Sequence, residues 1–141
     1  AFEVLEEVVE KRKNVRLAYF YFPLRHGGER SIRAAQAAEE ARTQGKFWQM
    51  AELLFRNQYA LEEESLFRYA KQLGLDLDRF TAAMRDNTHR ERVMEDKRLG
   101  ESVGVDSTPM IFVNGRKFGL ARTSENVNMR LDMERERGTC D

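Results

Sequence analysis

Val105-Asp106-Ser107-Thr108-Pro109-Met110-Ile111-Phe112-Val113-Asn114-Gly115-Arg116-Lys117-Phe118 is the stretch from which the rest of the chain is best read. Met110 to Val113 is an unbroken apolar run with Ile and Phe at its centre, which predicts a short strand buried on both faces. Asn114-Gly115 predicts a two-residue hairpin turn, because both central positions of such a turn need positive φ. Lys117-Phe118 would be the returning strand, short and charged as an edge strand should be. Pro109 stands directly ahead of the run. It has no N–H to give a ladder, which is tolerated at the first position of a strand. A cis Thr108–Pro109 bond would make a tight turn into the strand. Cis accounts for only about 5–6% of X–Pro bonds, however, so the residues alone favour trans.

Working outward, Val15 to Phe22 (Val-Arg-Leu-Ala-Tyr-Phe-Tyr-Phe) is apolar or aromatic at seven of eight positions, on both pleat faces. This predicts a central strand of a covered sheet, ended by Pro23. A helix is expected over Ala1–Lys13, where Phe2, Leu5 and Val9 recur at helical spacing. Its apolar period is already running at Phe2 with no capping residue before it, which suggests a first turn upstream of Ala1. Five helices are expected between the two strands. They run from Ser31, as cap, to Thr43; from Lys46 to Asn57; from Glu62 to Leu73; from Asp78 to Arg85; and from a cap at Asn87 or Thr88 to about Glu101. Ser124 is read as the cap of a last amphipathic helix reaching about Arg137, with Val127 and Leu131 inward.

The totals bound the answer. A chain of 141 residues suffices for one domain with a core. Lys plus Arg and Asp plus Glu number 24 each, so no net field draws the chain to nucleic acid or to a membrane surface. Charged residues are 34% of the chain and mean hydropathy is −0.68, as expected of long solvated helices, and no apolar run approaches membrane-spanning length. The single cysteine, Cys140, cannot form an internal disulfide and reads as an exposed, incidental thiol.

Thr108-Pro109, the apolar strand, Val113-Asn114-Gly115 and a basic returning strand resemble the cis-proline loop and β-hairpin of the thioredoxin superfamily, in its DsbA-like branch. Val15–Leu24, Gly-Lys-Phe-Trp-Gln-Met at Gly45–Met50, and Leu-Gly-Leu-Asp followed by Arg79-Phe80 support the resemblance along most of the chain. It implies an α/β thioredoxin-like fold over residues 1–141 as a single domain, with a helical subdomain inserted at about 29–103. It also implies that Pro109 is the family's cis-proline. Thr108, the residue before it, would leave its backbone free to pair with an extended substrate. Thr108 and Pro109 are therefore the expected substrate-binding residues. The family often has Gly where this chain has Ser107, and a polar residue where it has Met110.

The family's catalytic Cys-x-x-Cys is not among these residues, and no catalytic residue is assigned within them. In the family a first strand delivers that pair to the N-terminus of the first helix, where the dipole and free N–H groups stabilise a thiolate. By the family's spacing, strand and cysteines would sit just before Ala1. The missing strand would lie between Val15–Phe22 and Met110–Val113. Leaving it out exposes buried backbone groups at on the order of 1–3 kcal/mol each, against roughly 5–15 kcal/mol of total stability. The expectation is an N-terminally incomplete piece of a longer protein, or a gap filled by a swapped or partner strand, as in a strand-swapped dimer.

His26 and His89 have no second ligand at metal spacing and read as surface or loop histidines. Phe47, Trp48 and Phe55 read as core of the helical block, and Glu62-Glu63-Glu64 as a helix start favoured by the dipole. The implied function is thiol–disulfide exchange with protein or peptide substrates when intact, without a cofactor or metal. A redox partner protein is a further implied partner, and nucleic acid is not. The resemblance favours a bacterial, periplasmic or extracytoplasmic setting over a cytoplasmic one. Two alternatives stay open. One is a binding module that kept the fold without the cysteines; the other is a glutathione-dependent relative using serine.

Overall fold

Apolar residues three and four apart dominate the sequence, and in the computed structural model, which describes residues 1–138, they fold into helices. In chain order the elements are α1 (Phe2–Lys11), α2 (Gly28–Thr43), α3 (Phe47–Arg56), α4 (Glu63–Gln72), α5 (Leu77–Arg85), α6 (Arg90–Ser102), β1 (Phe112–Val113), β2 (Arg116–Lys117) and α7 (Ser124–Glu136). A single 3-10 turn, Arg25–Gly27, precedes α2. The chain divides into two compact units. One joins Ala1–Tyr19 to the chain from Ser107 on; the other is Phe20–Asp106. No helix among the described residues is long and apolar enough to cross a membrane.

In the first unit α1 lies against α7, and α7 touches β1. Val8, Val113, Phe118 and Val127 form its buried cluster, with Val4, Leu5, Ile111 and Leu131 packed around them. The spacing of Val4, Leu5 and Val8 puts all three on one face of α1, which is why that face turns inward. The hairpin pairs Phe112 with Lys117 and Val113 with Arg116. Asn114 (φ 48°) and Gly115 (φ 76°) make the turn in the left-handed region that this dipeptide accommodates.

Two strand expectations need correction. The apolar run Met110–Val113 is not buried on both faces: only Phe112–Val113 is strand, and Phe112 is 41% exposed while Val113 is 7% exposed. Side chains alternate across a strand, and the buried cluster occupies one face of this hairpin. Val15–Phe22 is not a strand at all. Among the described residues, the backbone N–H and C=O groups of Arg16, Leu17 and Ala18 have no hydrogen-bond partner. β-branched and aromatic composition sets a preference, but a strand exists only where a second backbone completes the ladder.

The second unit is built around α2, which touches α3, α4, α5 and α6. Its inward residues include Ala34, Ala37, Ala38 and Ala41, whose small side chains let neighbouring helices approach. Met50, Leu66, Phe80 and Val93, each at most 2% exposed, fill the space around it. Gly100 of α6 sits directly on the Phe22 ring. A Cβ there would lie 2.7 Å from Phe22 Cδ2, closer than van der Waals contact allows. Phe47 is buried and meets Tyr21 and Trp48 edge-on, whereas Trp48 and Phe55 are each more than a third exposed, so only Phe47 of that trio belongs fully to the core.

Caps also differ from expectation. Thr123, not Ser124, caps α7, its Oγ1 accepting from the Asn126 N–H at 3.2 Å. Ser124 Oγ instead donates to Glu7 Oε2 at 2.6 Å. Ser31 lies inside α2, which begins at Gly28, and α6 starts after His89 without a side-chain cap from Asn87 or Thr88. Asp76 caps α5 by accepting from the Arg79 N–H at 3.0 Å. Cys140 lies outside the described residues.

Candidate functional site

Thr108 and Pro109 lie in the exposed loop that leads into β1, within the first unit. The peptide bond between them is cis, in place of the trans bond that residue frequencies favour. Among the described residues Thr108 has no hydrogen-bond partner for its N–H or its C=O.

The hairpin register extends this property along β1. Val113 pairs across the turn with Arg116, and Ile111 C=O accepts from the Phe118 N–H at 2.8 Å. In an antiparallel ladder, alternate residues point their backbone groups to opposite sides. Met110 and Phe112 therefore aim N–H and C=O away from β2, and neither has a partner there among the described residues. Thr108, Met110 and Phe112 together present an open row of donors and acceptors, the geometry that an added strand can pair with.

Arg122 completes the loop. Its Nη2 donates to the Pro109 carbonyl at 3.0 Å, tying the chain after β2 back to the chain before β1. Nothing in the sequence singles out this residue. It is an isolated arginine thirteen positions from its acceptor, outside any helical or strand period.

The loop is held from below by the pairing of α1 with α7. Arg12 spans the two, with Nη1 donating to Asn128 Oδ1 at 3.1 Å and Nη2 to Asp132 Oδ1 at 2.6 Å. The Arg12 hydrogen bond holds the Asp132 carboxyl below its ordinary range. Hydrogen bonds from Lys11 and Ser124 do the same for Glu7. Both groups thus bind a proton less readily folded than unfolded. Their contribution is complete above the unfolded carboxylate values near about 4 and fades as pH falls through the lowered folded values. Thermal melts should be flat between pH 8 and 5, then fall below about pH 4. Replacing Asp132 with Asn should shrink that acid-dependent fall.

The second unit has a different polar cluster. Glu40, buried in α2, receives Gln44 Nε2 at 2.9 Å, and His89 Nε2 lies 2.6 Å from its Oε2. His89 thus lies in the turn ahead of α6, a loop histidine as expected, but partly buried and paired, whereas His26 is exposed in the 3-10 turn. A shallow cleft of about 360 Å³ opens beside them, lined also by Arg79 and Thr88. Tyr21 adds a second network: its N–H donates to Asp96 Oδ2 at 3.1 Å and its hydroxyl to Glu39 Oε2 at 3.0 Å. Burial pushes the Glu39 carboxyl up, but hydrogen bonds from Arg42 and Tyr21 and the nearby guanidinium charges outweigh it, leaving the group lowered. These carboxylates are satisfied by neighbours, so they act as structural ties between α2, α6 and the segment entering the bundle.

A proline loop feeding a short hairpin, packed on an N-terminal helix and a C-terminal one, is an arrangement of the thioredoxin-like class. The chain belongs to the thioredoxin family: the family model described as Thioredoxin matches residues 1–133. Among curated proteins it is similar to the Na(+)/H(+) antiporter NhaA 3 of Salinispora tropica, 37% identical over 113 residues, which is 80% of this chain and 17% of the relative. The Na(+)/H(+) antiporter NhaA of Herminiimonas arsenicoxydans is 40% identical over 106 residues, 75% of this chain and 17% of that protein. Na(+)/H(+) antiporter NhaA 1 of Mycobacterium sp. (strain KMS) is 39% identical over 99 residues, 69% and 16%. The chain thus spans about one-sixth of the length of these relatives. No solved structure matches it.

Proposed function

We propose that these residues form the substrate-aligning part of a DsbA-like thiol–disulfide oxidoreductase, with Phe20–Asp106 as the helical subdomain inserted into its thioredoxin fold. The supporting observation is the unpaired backbone of Thr108 beside Pro109, exposed at the entrance to β1. An extended segment of a substrate protein pairs there, which holds its sulfur against the redox centre. Exchange needs two cysteines, and the 141 residues hold one, Cys140, so the reacting pair comes from polypeptide outside them. In the reaction, one thiolate attacks a substrate disulfide, that S–S bond breaks, and a mixed disulfide forms while a substrate thiolate leaves. The second cysteine then attacks the mixed disulfide and releases the reduced substrate; the reverse sequence oxidises a dithiol.

The test is a disulfide-exchange assay on the natural polypeptide that carries these residues. Catalysed reduction or oxidation of a model protein, abolished when its paired cysteines are serine, supports the reading. Rates no better than glutathione alone overturn it. Replacing Pro109 with Ala in that polypeptide should impair substrate release and let mixed disulfides accumulate; unchanged turnover with no trapped complex would remove the role given to the loop.

A second reading concerns setting, not chemistry. The relatives are named as Na(+)/H(+) antiporters, and the likeness covers 69–80% of this chain. On this reading the domain is carried by an antiporter polypeptide and works at a membrane. Sequencing the complete reading frame decides it: membrane-spanning segments in the same frame support the reading, and their absence refutes it.

A further inference from the structure

Asn114 is the one asparagine in the sequence that precedes a glycine; every other precedes a residue whose side chain crowds the next backbone nitrogen. Gly115 has no Cβ to shield its nitrogen. That nitrogen can attack the side-chain carbonyl carbon of Asn114. An N–Cγ bond forms, the bond from Cγ to the side-chain nitrogen breaks, and ammonia leaves with the proton of the Gly115 N–H. The product is a succinimide ring. Water then opens the ring at either carbonyl. One opening gives aspartate; the other gives isoaspartate, whose main chain runs through Cβ and Cγ.

Both residues are exposed at the tip of the hairpin, yet the folded turn withholds the reaction. Asn114 has φ 48°, in the left-handed region, where ψ is about +30 to +60°. That ψ turns the Gly115 nitrogen to the side of the Cα–C bond opposite Asn114 Cβ, the position farthest from Cγ. Attack requires ψ to rotate well out of this region, which the turn does not allow while Val113 stays paired with Arg116. The pairing is anchored in turn by Phe118. Its N–H donates to Ile111 C=O at 2.8 Å, and its ring is buried with Val8, Val113 and Val127. The reactive geometry is reached only when the hairpin opens, a local event.

We infer that Asn114 is a self-modifying site gated by the opening of the hairpin, and that its isoaspartate form releases β2 from the core of the first unit. The two products differ in effect. Asp-Gly suits the same turn as Asn-Gly, so the aspartate form keeps the hairpin and only adds a carboxylate beside Arg116 and Lys117. Isoaspartate puts an extra backbone carbon into a two-residue turn whose length sets the register. Val113 and Phe118 then no longer reach their shared cluster together. This chemistry is independent of the substrate-aligning role given above to Thr108.

The test ages the natural polypeptide that carries these residues, beside a synthetic peptide of residues 112–117, in mildly alkaline buffer. The peptide is too short to hold a hairpin. Digestion and mass spectrometry locate the change from amide to acid, and enzymatic methylation counts isoaspartate. Asn114 should react at least about tenfold faster in the peptide than in the folded protein. In urea below the unfolding transition, its rate should rise in parallel with hydrogen exchange of the Phe118 amide, and Phe118→Ala should bring it close to the rate in the peptide. The isoaspartate form should lose protection at the Phe118 amide, whereas Asn114→Asp should keep it. Equal rates in peptide and folded protein overturn the gating. Another of these asparagines reacting ahead of Asn114 in the folded protein overturns the site. An isoaspartate form that protects the Phe118 amide as the parent does overturns the release of β2.

Discussion

Phe118→Ala should destabilise the first unit by about 3–5 kcal/mol and free the hairpin from the helices beneath it. The side chain is 7% exposed and belongs to a buried cluster of four, the others being Val8, Val113 and Val127. Removing a buried phenylalanine forfeits its transfer free energy and leaves a cavity, and the two costs together reach that range. A cluster so small has little left with which to close the gap. The backbone bond from Phe118 N–H to Ile111 C=O does not involve the side chain, so the mutation tests packing and not the ladder. Urea denaturation gives the magnitude. Hydrogen exchange gives the location: the Phe118 amide should lose protection, while amides of Leu66 and Val93, buried in the second unit, should hold theirs. Uniform loss across both sets would show that the two units unfold together.

Arg130→Ala should cost about 3 kcal/mol for a different reason. Glu134 is wholly buried on α7, and Arg130 Nε approaches its Oε1 at 2.8 Å, with Arg137 Nη1 at 3.5 Å. A buried ion pair adds little over an apolar pair of equal shape, but removing one member leaves a charge in a poorly solvating place. The double replacement Arg130→Met with Glu134→Leu should therefore recover most of the loss. A double-mutant cycle by chemical denaturation reads both results. If Arg130→Ala alone is within 0.5 kcal/mol of the parent, as is usual for an exposed pair (about 0–1 kcal/mol), Arg137 carries the charge by itself.

The helices were legible because their information is local. Phe47, Met50 and Leu54, or Leu66, Tyr69 and Ala70, state their period within a dozen residues, and the observed boundaries fall within a few residues of those expected. The hairpin was legible for the same reason: Asn114-Gly115 fixes the turn, and the turn fixes the register. Val15–Phe22 was not. Its composition is that of a strand, but pairing depends on residues elsewhere, and no period in the segment says whether a partner is present. Caps failed by one to four residues; Ser124 and Thr123, for example, are equivalent in type and only the local dihedrals separate them. In the candidate site, Thr108 and Pro109 announce themselves through the proline, whereas Arg122 enters by a contact across thirteen residues. The pairing of the loop residue His89 was not legible because its partner, Glu40, is forty-nine positions away.

The division of the chain also sets an order of events during synthesis. Phe20–Asp106 is one uninterrupted stretch, so its helices can gather around α2 while the remainder is still being made. The other unit is assembled from segments on either side of that stretch, and Val8 finds its neighbours only once Val113, Phe118 and Val127 have left the ribosome. Helix α1, although made before that stretch, should find its place after it.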